Sequence, residues 1–306
     1  MVCYGRVTSA GLAFLLMAGW ITPDGARAQT DRPGPIAHEP GGVDTEHMFG
    51  FITGSDIGGA GEMEIEAEQD SGVGKRLGRY YAAGNALQLK YTLIENVRIA
   101  PYLIFGHHGV NTVPGMADID RFTFAGGGME LKLRALSRAT NPFGLTFAVD
   151  VGAGRIDMAT GPRAHDHGLG FSAALDRELI KDRLFGAINL DYAPAWTRDP
   201  ANGQWSHSAV TGVGAAMVTR IARDVFAGGE VRYLRAYDSA SLSSFLGDAV
   251  FAGPTVYVML NPTTNMTFAW NTQIHGHARG EPGRLDLTNF ERHQFRVRIG
   301  VGFSAK

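Results

Sequence analysis

Phe295-Arg296-Val297-Arg298-Ile299-Gly300-Val301-Gly302-Phe303 is the stretch that decides the fold of this chain. Its odd positions are all apolar and its even positions are arginine or glycine. A period of two is that of a β-strand with two unlike faces. A single such strand would suit a soluble sandwich equally well. The pattern, however, recurs about a dozen times from Glu62 to Phe303 without a linker, behind a secretory signal. That repetition predicts an all-β fold, an antiparallel up-and-down transmembrane β-barrel of about 12 strands, with ten or fourteen as the alternatives.

The signal is read from the first residues. Arg6 gives the positive end, Val7 to Ile21 the apolar stretch, and Ala26-Arg27-Ala28 a small-x-small cleavage site. The chain therefore divides into a signal peptide (1–28), a leader (29–61) and a barrel (62–306). Cys3, the single cysteine, falls in the removed segment, so the mature chain has neither a disulfide nor a thiol for lipid attachment. The formal net charge is −2 with no basic patch, which argues against nucleic-acid binding. A mean hydropathy of −0.07 fits a barrel in which lipid-facing and lumen-facing residues alternate and cancel. The leader is rich in Pro and Gly and is expected to be a periplasmic tail rather than a small plug.

Short joins such as Glu95-Asn96, Lys181-Asp182, Arg223-Asp224 and Asn261-Pro262 alternate with longer loops, including 109–119, 159–167, 238–248 and 280–287. One rim with tight turns and one with loops is the asymmetry of an outer-membrane barrel, and an even strand number puts both termini in the periplasm. Closure demands that the first and last strands pair, because an open edge in lipid leaves unpaired backbone groups. Glu62, Glu64, Glu66 and Glu68 ascend the inward face of the first strand while Arg292, Arg296 and Arg298 descend the inward face of the last. The expected register sets Glu62 and Glu64 beside Arg298 and Arg296.

With the apolar faces toward lipid, the inward set comprises Lys90, Glu130, Lys132, Arg134, Asp150, Asp176, Glu178, Asp191, Glu230, Arg232, Gln273, Arg296 and Arg298, together with Gln88, Asn189 and Asn271. These charges either pair across the lumen and fill it, or line opposite walls and sort small polar solutes. No enzyme is expected: Ser206-His207-Ser208 places histidine and serine on opposite faces of a strand, and His275-Gly276-His277 has the right spacing but no serine. The i, i+2 pair His275/His277 is a weak candidate for metal binding; no metal or cofactor is expected. Tyr80, Tyr81, Tyr102, Trp196, Trp205, Tyr237, Trp270, Phe290 and Phe303 lie near strand ends, where interfacial girdles occur.

The run Glu46-His47-Met48-Phe49-Gly50-Phe51, then Gly54-Ser55-Asp56-Ile57-Gly58 and Gly61-Glu62-Met63-Glu64-Ile65-Glu66, resembles a family of uncharacterised outer-membrane proteins of Gram-negative, alphaproteobacterial type. That resemblance implies a place in the outer membrane and no assigned substrate. It departs from the usual barrel ending, since Ser304-Ala305-Lys306 follow the terminal aromatic Phe303. The expected function is a porin-like narrow channel or transporter for small polar solutes. The alternative is a non-conducting structural or adhesive barrel whose outer loops bind a partner. Expected partners are outer-membrane lipids and the barrel-assembly machinery.

Overall fold

In the computed structural model, which describes residues 43–304, the alternating segments form twelve strands. They are β1 (Glu62–Val73), β2 (Arg79–Ile94), β3 (Val97–Asn111), β4 (Ile119–Leu136), β5 (Gly144–Ile156), β6 (Arg163–Ile180), β7 (Leu184–Arg198), β8 (Trp205–Ala222), β9 (Val225–Tyr237), β10 (Phe245–Asn261), β11 (Thr264–Ala278) and β12 (His293–Ser304). Each pairs antiparallel with its neighbours in sequence, and β1 pairs with β12 to close the barrel. The signal peptide, leader residues 29–42 and the last two residues lie outside the described residues.

The strands run from 12 to 18 residues. About 9–11 residues suffice for a tilted strand to cross a bilayer, so most of these overhang it. The overhang also shortens the loops. β6 begins at Arg163 and β10 at Phe245, so His165–His167 and residues 245–248 are strand where loop was expected. Among the longer joins only residues 279–292 make an extended loop, and it folds inward, with Asp286, Leu287, Phe290 and Glu291 buried.

Outside, Leu87, Leu89, Leu103, Phe147, Val149, Leu190, Val213 and Val231 form an exposed apolar belt. In water such a surface would be costly at about 25 cal/mol per Å²; against lipid it is the matching face. The paired barrel should therefore need detergent for extraction and migrate faster on SDS gels before boiling than after. Identical mobility of boiled and unboiled samples would contradict a closed, fully paired wall.

The girdle expectation is corrected in part. Trp205, Trp270 and Phe303 are exposed, but Tyr80, Tyr102, Tyr237 and Phe290 are buried. Phe290 packs with Val210, Leu234, Ala236, Ala249 and Phe251, and Tyr80 donates its hydroxyl to the Ala159 carbonyl at 2.8 Å.

The seam closes in a different register from the one expected. Glu62 faces Ser304 and Glu64 faces Gly302, whereas Arg298 lies opposite Glu68 and Arg296 opposite Asp70. Carboxylates recur at every second residue of β1 from Glu62 to Asp70, so charge matching tolerates any even displacement. The displaced register puts Gly300 and Gly302 beside Glu66 and Glu64, and the space over Gly300 is taken by the Asn265 and Glu64 side chains, each about 3 Å from where a Cβ would stand.

Candidate functional site

Residues 43–61 are a plug inside the barrel, not a tail. Met48, Phe49, Ile52 and Ile57 are fully buried, as are Glu46, His47, Ser55 and Asp56. The reason is that the lower inner wall is not polar throughout. Phe185, Ala187, Ala216, Val218, Phe226 and Tyr257 make an inward apolar patch, and Met48, Phe49 and Ile52 cover it. A lumen with such a patch needs an apolar occupant, and the leader supplies one.

The plug is folded on itself by Asp56, whose Oδ2 accepts from the Thr45 amide at 2.8 Å and the Thr45 hydroxyl at 3.0 Å. Contacts from several strands then hold it to the wall. Glu46 accepts a two-pronged bond from Arg98 and a third bond from Lys132 Nζ at 2.8 Å, with Lys90 Nζ at 3.5 Å. Glu230 receives the Phe51 amide at 2.9 Å and the Ile52 amide at 3.3 Å, and is itself oriented by Asn271 Nδ2 at 2.6 Å. The Arg232 and Arg296 guanidiniums both lie against the Phe51 ring, 3.9 and 4.6 Å from its centroid. Arg138, in the β4–β5 turn, donates to Asp56 Oδ2 at 2.7 Å and to the Val43 carbonyl at 2.8 Å.

Gly50 marks the closest approach: a Cβ there would stand 2.4 Å from the Ala269 Cβ and 2.9 Å from a Glu230 oxygen. No side chain fits without moving the plug. Ser55 donates to Asp176, and Thr146 donates to the Ser55 carbonyl at 2.5 Å.

Most of the sequence-predicted lumen residues thus meet the plug or the seam rather than an open pore. Lys90, Lys132, Asp176, Glu230, Arg232 and Arg296 touch plug residues. Arg298 pairs with Glu68 at 2.5 Å, and Glu66 lies 3.6 Å from Arg298. Glu130 stands 3.6 Å from both Arg98 and Lys132. Gln273 holds the folded-in loop by donating to the Asp286 and Glu291 carbonyls at 3.0 and 3.2 Å. Arg134 bonds the Glu95 carbonyl and Glu178 accepts the Asp182 amide, which places both at the short-turn rim. Asp150, bonded by the Tyr102 hydroxyl at 2.9 Å, and Asp191 face a cavity beside the plug. Sequence reasoning missed Glu46, His47, Arg98 and Arg138, although the first two lie in the run that carried the family resemblance.

His275 and His277 are both exposed, on β11 opposite Val250 and Asp248. Among the described residues the group with metal-ligand spacing is instead His47, Glu64 and Glu66. His47 Nε2 lies 3.0 Å from Glu64 Oε1 and 2.8 Å from Glu66 Oε2. The Lys90 ammonium is already at their centre, 2.8, 3.1 and 2.6 Å from the same three atoms. An ammonium where the ion would sit makes this a salt-bridged cluster. His207 is exposed and Ser208 buried, so the two remain on opposite faces.

In the folded-in loop, burial pushes the Asp286 carboxyl above its ordinary range, against hydrogen bonds from Asn289 and Thr288.

A closed antiparallel barrel with a lipid-matched exterior and a plug packed into a charged lumen has the fold of the outer-membrane β-barrels. Residues 42–303 match the model of a family of unknown function, DUF6662, and the chain belongs to that family. None of the curated proteins matches the sequence. Among solved structures, the COG4313 outer-membrane channel from Pseudomonas putida F1 is similar, with a TM-score of 0.56 and 11% identity over 81% of this chain and 97% of that one. The β-domain of the Bordetella autotransporter BrkA gives a TM-score of 0.48 and 13% identity over 80% and 100% of the two chains. The porin NanC gives 0.44 and 11% over 78% and 98%.

Proposed function

We propose that this protein is a narrow outer-membrane channel for small polar solutes, in which residues 43–61 close the short-turn half of the lumen at rest. The observation that carries the reading is the space the plug leaves. A cavity of about 110 Å³, lined by the charged Asp150, Asp191, Arg232 and Arg296 as well as by apolar side chains, lies beside Phe51–Gly54 along β5–β8. A barrel serving only as a scaffold has no need of charged side chains turned toward a cavity next to its plug. The likeness to a structure described as a channel supports the same reading.

Signal removal after Ala28, an alphaproteobacterial-type outer membrane with its assembly machinery, and a non-enzymatic role belong to this proposal. The second reading, a non-conducting barrel whose loops bind a partner, is favoured by the completeness of the seal around Glu46 and Glu230. Conductance in planar bilayers at two salt concentrations separates them. The intact chain should give small steps, and removal of residues 43–58 should enlarge them several-fold in proportion to salt. A plug-deleted barrel that inserts but passes no current would overturn the channel and leave the loop-binding reading.

A further inference from the structure

The lumen's cations and anions are unevenly satisfied. Lys90, Arg98, Lys132, Arg138, Arg296 and Arg298 each have a carboxylate within 3.1 Å, from the plug or from β1. Asp191 is different: among the described residues it accepts no hydrogen bond and joins no ion pair. It lies in mid-strand on β7, between Ser172 of β6 and Gly212 of β8, its direct cross-strand neighbours. All three line the cavity beside the plug. The surrounding inward positions are small (Ala148, Gly170, Ala174 and Gly214), so nothing from the wall covers the carboxylate. A Cβ on Gly212 would stand 3.0 Å from Leu234 Cδ2 and 3.5 Å from Asp191 Oδ2, so a longer side chain there would push against Leu234 and crowd the carboxylate. The Ser172 hydroxyl, among the described residues, also has no partner. Arg232 and Arg296 act on Asp191 only electrostatically, from a distance, and both are engaged with the Phe51 ring.

We propose that Asp191 and Ser172 form a binding subsite for the protonated amine of a small organic solute. An ammonium has three donors in a compact head. The two Asp191 oxygens and the Ser172 hydroxyl can accept them, and the bond to the carboxylate is charge-assisted. A bare metal ion fits poorly, because one carboxylate and one hydroxyl are too few oxygens to replace its water. The small residues leave room for the carbon skeleton over the plug tip, and the arginines across the cavity disfavour a second positive charge. The site therefore takes monoamines or zwitterions rather than polyamines.

This inference deepens the channel reading by naming the solute class, but it is tested by equilibrium binding, which needs no conduction. Calorimetry on the full chain in detergent at low salt and neutral pH would use ethanolamine, with ethylene glycol and glycolate as the neutral and anionic probes. Ethanolamine should bind measurably and the other two not. Asp191→Asn should weaken ethanolamine at least tenfold, Asp191→Glu should retain most of the binding, and Gly212→Leu should block it while keeping the charge. Heat-shifted gel mobility reports whether each variant is folded, and loss of binding in folded Gly212→Leu carries the test if Asp191→Asn does not assemble. Equal binding of ethanolamine and ethylene glycol, or wild-type affinity in folded Asp191→Asn, would overturn the subsite. Binding without bilayer current would support the subsite and count against the channel; current without binding would do the reverse.

Discussion

Glu46→Gln should release the plug. The carboxylate is buried and serves Arg98 and Lys132 at once, with Lys90 nearby. Removing one partner of a buried ion pair costs about 3–5 kcal/mol, since the remaining charges keep their desolvation penalty and lose their compensation. Here that loss falls on docking rather than on the wall, because the barrel's backbone ladder does not involve residue 46. A cysteine placed by Met48→Cys in the mature chain is sealed against the apolar patch when the plug is in. In the Glu46→Gln background its reaction with a water-soluble maleimide should accelerate on the order of a hundredfold or more, the factor that ~3 kcal/mol represents at 1.4 kcal/mol per decade. Unchanged labelling would mean that Met48, Phe49 and Ile52 hold the plug without the charges.

Arg296→Met should have the largest effect on the barrel itself. Arg296 is 1% exposed and serves three elements: β1 through Asp70 (Nε 2.6 Å, Nη2 2.5 Å), the plug backbone through the Gly50 carbonyl at 3.4 Å, and the Phe51 ring. Methionine keeps the apolar length but leaves Asp70, 16% exposed, without its partner, a loss of at most about 3–5 kcal/mol. The seam is where the first and last strands meet, so the loss should appear as a lower urea midpoint for unfolding in vesicles, read by gel mobility. Asp70→Asn on the same background should restore a good part of it, because the stranded charge is removed. Additive losses in the double variant would show that the two residues do not act as a pair.

The wall was legible because its signal is local. Period-two alternation needs no partner to be read, and Val225–Tyr237 can be bounded from the sequence at both ends. Register and plug are not local. The carboxylates of β1 repeat with the same period as the arginines of β12, so many even displacements look alike, and charge alternation alone does not choose among them. The plug's signal was present in two halves that do not reveal each other: an aromatic run at Met48–Phe51 that has no business in a tail, and Phe185, Ala187 and Phe226 on faces otherwise polar. Polar residues such as Asn189 and Asp191 on the same face as Phe185 drew that face as wholly hydrophilic. Arg138 carries no pattern at all, since it lies in a turn.

The plug also orders assembly in time. Its contacts span a wide range of sequence separation, with Ser55 to Asp176 at 121 residues and Thr53 to Asn189 at 136 in the middle. Glu46 reaches Lys90, Arg98 and Lys132 at separations of 44, 52 and 86 residues, whereas Phe51 reaches Glu230 at 179 and His47 reaches Thr267 at 220. The first set is complete once β4 is in place; the second must wait for β9 and β11. Closing the shorter loops costs less entropy, so the leader can dock on the β1–β4 sheet while the wall is still open. The remaining strands then wrap around an occupant already seated, and no finished ring has to be threaded.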